Sequence, residues 1–232
     1  MEETMKIKII HLLLLLILTM MLSSCKSDIS EILSSQCEAP CWRNIQPGTT
    51  THNEVLKIIK DFQDIKGEVI GYGGRFHIFN GSTLLTLHNG VAINIYYLND
   101  VVATISFYKS QGITTFKECV NEFGTPENIG RSFLIGPGLP IGATSAIHPY
   151  IFAISPQKGI VFGYDAYRNF SDDLILSPKT KATIITFFDV NVFTQLLEDG
   201  DLVYIEILEK YSEDDLYKWN GYGDIEELYP KR

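Results

Sequence analysis

Cys37 and Cys41 stand four positions apart in CEAPCW, and two thiols that close invite three chemistries. A redox pair prefers C-x-x-C at a helix N-terminus, where the thiolate pKa is lowered; here three residues intervene and one of them is Pro40. A zinc site needs two further ligands, and His52, His77, His88 and His148 are scattered singly with no paired spacing. The third chemistry is a local disulfide that stiffens the chain before the first helix. A Cys37–Cys119 or Cys41–Cys119 bridge is its competitor. Cys119 falls in an apolar helical stripe, so it reads as a small buried hydrophobe and a free, slow-reacting thiol.

Other candidate chemistry is sparse. GYGGRF from Gly71 and GPGLPIGA from Gly136 are glycine-rich, but neither is G-x-G-x-x-G between strand and helix and neither carries G-K-[ST]. There is no G-x-S-x-G, which leaves a hydrolase with dispersed residues as the last-ranked reading. Asp172-Asp173 and Asp214-Asp215 are sequence neighbours whose side chains diverge, and no calcium-loop pattern surrounds them. No cofactor or metal is expected. The 13 Phe and 12 Tyr are core residues by default. Tyr96, Tyr108, Tyr150, Tyr164 and Tyr167 are the candidates for a sheet face that meets a protein partner, because tyrosine is large and amphipathic. A formal charge of −9 without a basic cluster argues against nucleic acid and against electrostatic attachment to anionic lipid.

The elements that must position these residues are written twice. GTTTHNEVLKII from Gly48 and GITTFKECVNEF from Gly112 align at a constant offset of 64, with Thr51 on Thr115 and Glu54 on Glu118. Each copy is a capping box, Thr-x-x-Glu, ahead of apolar residues at helical spacing. The first helix leads into segments RFHIFN, STLLTLHN, VAINIYYLN and VVATISFY, separated by Asn80-Gly81, Asn89-Gly90 and Asn99-Asp100. These read as an antiparallel meander, with both residues of each Asn-Gly turn able to take positive φ. After the second helix, SFLI, YIFAIS, GIVFGYDAY and TIITFFDV repeat the pattern with longer loops. The expected fold is α+β: a first helix-plus-meander unit over 37–110 and a second over 111–190. A C-terminal part, 191–232, holds a short helix in NVFTQLLEDG and an acidic aromatic tail that packs back through Tyr204, Ile207, Tyr211, Leu216 and Trp219.

The N-terminus has the three parts of a secretory signal: Lys6 and Lys8, the apolar run Ile9 to Leu22, and Leu22-Ser23-Ser24-Cys25. The last four residues resemble the bacterial lipobox. That resemblance implies removal of residues 1–24, diacylation of Cys25, and a lipid anchor that holds the protein to a membrane on the extracytoplasmic side. Glu2 and Glu3 offset the two lysines, so Met5 is the expected start. The apolar run is shorter than the ~20 residues of a spanning helix. Residues 25–36 are polar and serine-rich and read as a tether. Lys26 lacks the aspartate of the best-known inner-membrane retention rule, which favours an outer membrane where one exists.

IQPGTTTHNEVLKII resembles the start of the SmpA/OmlA-type outer-membrane lipoproteins, where a Pro-Gly-x-Thr turn opens a helix carrying Glu-Val and Leu. Tandem helix-plus-sheet units are similar to the β-lactamase inhibitor protein fold. The CxxxCW…PG opening with the late WxGYG also resembles a group of uncharacterised bacterial lipoproteins. The first two resemblances imply a binder rather than an enzyme, and no binding residue of those families maps onto this chain. The expected function is a non-enzymatic, lipid-anchored protein-binding module. A small-ligand binder that uses a cleft between the two units is the alternative.

Overall fold

The computed structural model describes Ile29, Ile32 and residues 37–71, 81–135, 147–165, 175–198 and 216–229. Helix α1 (His52–Ile59) starts where expected. Thr51 is its N-cap, its hydroxyl accepts from the Glu54 N–H, and Glu54 accepts from the Thr51 N–H at 2.8 Å. His52, Val55 and Ile59 form the buried stripe. The chain then runs through β1 (Ile65–Gly71), β2 (Gly81–Leu87), β3 (Ala92–Leu98) and β4 (Val101–Tyr108), each antiparallel to the one before. The short strand β5 (Thr114–Thr115) leads into α2 (Phe116–Phe123), where Thr115 and Glu118 repeat the capping box.

The second half supplies β6 (Asn128–Ile135), β7 (Ile147–Ser155), β8 (Ile160–Asp165), β9 (Ile175–Leu176), β10 (Lys181–Ala182) and β11 (Ile184–Phe188). Helix α3 (Phe193–Glu198) follows a 3₁₀ turn capped by Asp189, and β12 (Tyr217–Lys218), β13 (Gly223–Asp224) and α4 (Ile225–Leu228) end the described chain. One nine-stranded sheet has the order β1-β2-β3-β4-β11-β8-β7-β6-β12, with every neighbouring pair antiparallel. Helices with an antiparallel sheet make this an α+β protein.

Both faces of the sheet's central strands carry buried clusters. On one face Ile93, Ile95, Phe107 and Phe187 pack under Val55 and Ile59 of α1 and Phe116, Cys119 and Phe123 of α2. On the other, Tyr96, Phe152, Ile184 and Phe188 pack with Phe193 and Leu196 of α3 and with Leu216. Each fully buried aromatic contributes about 2–3 kcal/mol by area removed from water. Ser106 and Thr186 are buried polar residues at the junction of β4 and β11, and their hydroxyls bond each other at 2.9 Å.

Several details depart from the sequence reading. The expected strand RFHIFN lies outside the described residues, and β1, which precedes it, was not anticipated. Its IKGEVIG sequence carries two glycines and two charges, all poor strand formers. At Asn89-Gly90 only Gly90 has positive φ, and the Val91 N–H reaches back to Asn89 Oδ1 at 3.0 Å. The turn with both residues at positive φ is Asn99-Asp100, at 52° and 63°. Ile29 and Ile32, inside the stretch read as tether, are 6 % and 0 % exposed.

Candidate functional site

The clip at Cys37 organises the site. Cys37 and Cys41 form a disulfide, the pairing expected from their spacing. Ala39–Pro40 is a cis peptide bond. Trp42 and Ile45 then close a two-residue hairpin through reciprocal backbone bonds of 2.9 and 2.8 Å, with Arg43 and Asn44 at φ 50° and 66°. Trp42 is buried edge-on against Phe62 and Phe107. The Arg43 guanidinium lies over Phe62 at 4.5 Å and over Trp42 at 5.1 Å, and it pairs through both nitrogens with Asp64. That hydrogen-bonded guanidinium holds the Asp64 carboxyl below the ordinary carboxylate range. Planar stacking combined with a bidentate pair is a geometry lysine could not supply.

Beside the clip is a half-open cleft of about 760 Å³. Cys37, Glu38, Ala39 and Pro40 line one wall. Glu122 and Phe123, at the end of α2, line another, and Gln157, Lys158, Ile160 and Val190 complete it. The clip thus faces elements of the second half of the chain. Lys158 is fixed: its ammonium donates to the Phe123 carbonyl at 2.8 Å, at the negative end of α2. Gly124 follows at φ 84°, and a Cβ there would lie 2.6 Å from Lys158 Nζ, so the ammonium would have to shift. Phe123 and Ile160 are buried, whereas Val190 is 45 % exposed at the cleft's edge. The cleft therefore offers an apolar floor with Glu38, Glu122 and an already engaged Lys158 around it.

The other expected residues are dispersed. Cys25 and Tyr167 lie outside the described residues. Tyr96 is 3 % exposed in the cluster on the α3 side, and Tyr164 is 4 % exposed in the cluster on the α1–α2 side. Burial pushes the Tyr164 hydroxyl up to about 12. Tyr108 is half-buried and Tyr150 is buried. The four described tyrosines of the five offered as a partner surface are not gathered on one exposed face. Of the tail residues, Leu216 and Trp219 pack onto the two clusters, and Tyr204, Ile207 and Tyr211 lie outside the description.

Cys119 is free and buried, and its thiol is pushed well above its ordinary value, first by burial and then by the charge of Glu118. Among the described residues no three His, Cys, Asp or Glu side chains gather as metal ligands, and no helix is long and apolar enough to cross a membrane. The cleft residues Glu122, Gln157, Lys158 and Val190 were not foreseen, because they come from three separate segments with no common spacing. No protein-family profile, curated protein or solved structure matches the chain.

Proposed function

We propose that the chain is a lipid-anchored cell-envelope protein that works as a non-enzymatic protein-binding module, and that the cleft beside the clip is its contact surface. Exposed Val190 on that cleft carries the binding reading, since an apolar side chain held at the lip of a walled concavity gains from being covered. The walls are stiff. A disulfide, a helix end and a 3₁₀ turn frame the cleft, so little ordering cost falls on association. The anchor rests on the lipobox at Leu22–Cys25. In cells, cross-linking followed by capture of the chain is expected to enrich one membrane-associated protein, and Val190→Asp is expected to lose it while leaving Tm unchanged. Equal capture by Val190→Asp would remove the cleft from this role.

We also read the chain as two copies of one helix-plus-meander unit. Support comes from matched backbone bonds: His52 N–H to Asp100 O and Phe116 N–H to Thr180 O, both 2.8 Å. The two last strands, β4 and β11, match at an offset of 80, ATISFY against TIITFF, and they pair with each other. On that offset Ser106 corresponds to Thr186, the residue it faces. The unit order β1-β2-β3-β4 followed by β11-β8-β7-β6 is what a local two-fold between those two hydroxyls would produce. A small-ligand role is the second reading, favoured by the cleft's volume, which lies in the range of ligand pockets. A thermal-shift screen against envelope sugars, peptides and lipids separates it from the first.

A further inference from the structure

The hydrophobic core begins very close to Cys25. Ile29 and Ile32 are helical positions three apart, and both belong to the cluster that lies under α1 and α2. Only Lys26, Ser27 and Asp28 separate Cys25 from Ile29. An extended chain advances at most ~3.6 Å per residue, so Cys25 stands within about 14 Å of the Ile29 backbone. An acylated cysteine sits at the headgroup level with its chains in the hydrocarbon.

We infer that the mature protein has no working tether: the folded domain rests directly on the lipid headgroups, on the side where Ile29 enters the core. The inference rests on the acylation of Cys25 proposed above. A formal charge of −9 supplies no attraction to anionic lipid, so the contact is imposed by the shortness of the linker. A domain of roughly 200 residues has a radius of gyration of about 16 Å, so the whole protein stays within about 60 Å of the bilayer.

Neutron reflectometry tests this with the acylated mature chain on a supported bilayer of phosphatidylethanolamine and phosphatidylglycerol. Protein density is expected to begin in the headgroup layer with no intervening water. A variant with ten Gly/Ser residues inserted between Ser27 and Asp28 is expected to show a water layer of about 15–20 Å. The same water layer under the unmodified chain would overturn the inference while leaving the anchor intact. Absence of acyl chains on Cys25, read by mass spectrometry of the same preparation, would overturn the anchor and this inference together. Ile32→Asp in the full chain is expected to lower Tm by several degrees, and an unchanged Tm would also overturn it.

Discussion

Glu118 collects three donors: the Thr114 hydroxyl, the Thr115 N–H at 2.9 Å and the Thr115 hydroxyl at 2.8 Å. Together they hold its carboxyl below the ordinary range, with the Thr114 hydroxyl the largest cause. Asp64 is lowered in the same direction by Arg43. A carboxyl depressed in the folded state binds fewer protons there than in the unfolded chain. Its stabilisation is fully present above the unfolded value near pH 4 and is lost as pH falls from there through the depressed folded value. Thermal unfolding followed by circular dichroism from pH 7 to pH 2 is therefore expected to show Tm falling below about pH 4.5. Glu118→Gln is expected to flatten that acid limb, and an unaltered limb would count against the assignment. Gly130 answers to a different force. A Cβ there would meet Phe152 Cζ at 2.0 Å, so Gly130→Ala should cost about 1–3 kcal/mol in a denaturant melt, the range for overpacking.

The disulfide closes a loop between residues four apart. A ring that short is worth about 2 kcal/mol in the chain-entropy account, which for a chain of this size is a Tm loss of about 4–8 °C. Cys37→Ser with Cys41→Ser should show that drop in calorimetry, and a Tm within 1 °C of the parent, roughly 0.3 kcal/mol, would mean the clip is not structural. This clip and the two capping boxes were legible in the sequence because their information is local, in residues within four positions of one another. β1 was not legible, since its pairing with β2 overrides weak strand formers such as Gly67 and Gly71. The turns at Asn89-Gly90 and Asn99-Asp100 were found, but positive φ at both residues occurs at Asn99-Asp100 and not at Asn89-Gly90, where it was expected; Asn80 lies outside the described residues. Backbone bonding to the flanking strands chose between conformations that either dipeptide permits. The cleft was invisible for the reason β1 was: its walls meet only after residues from 37 to 190 have folded together.

At the scale of the molecule, the sheet joins the two halves through β4 and β11, and the chain's end ties its outer edge. β12 pairs with β6, and Tyr229 is buried with its hydroxyl donating to the Gly221 carbonyl and accepting from the Asn220 N–H, both at 3.0 Å. Tyr96, Tyr97, Tyr150 and Tyr164 of the strands serve the core, and the proposed partner contact is therefore assigned to the cleft. The proposed presentation of this body at a membrane surface depends on the lipid on Cys25. Intact-mass spectrometry of the chain extracted from cell membranes tests it most directly. The account predicts a mature chain that begins at Cys25 and carries a diacylglyceryl mass. A chain that still begins at Met1 or Met5, or one that starts at Cys25 without added lipid mass, would contradict it.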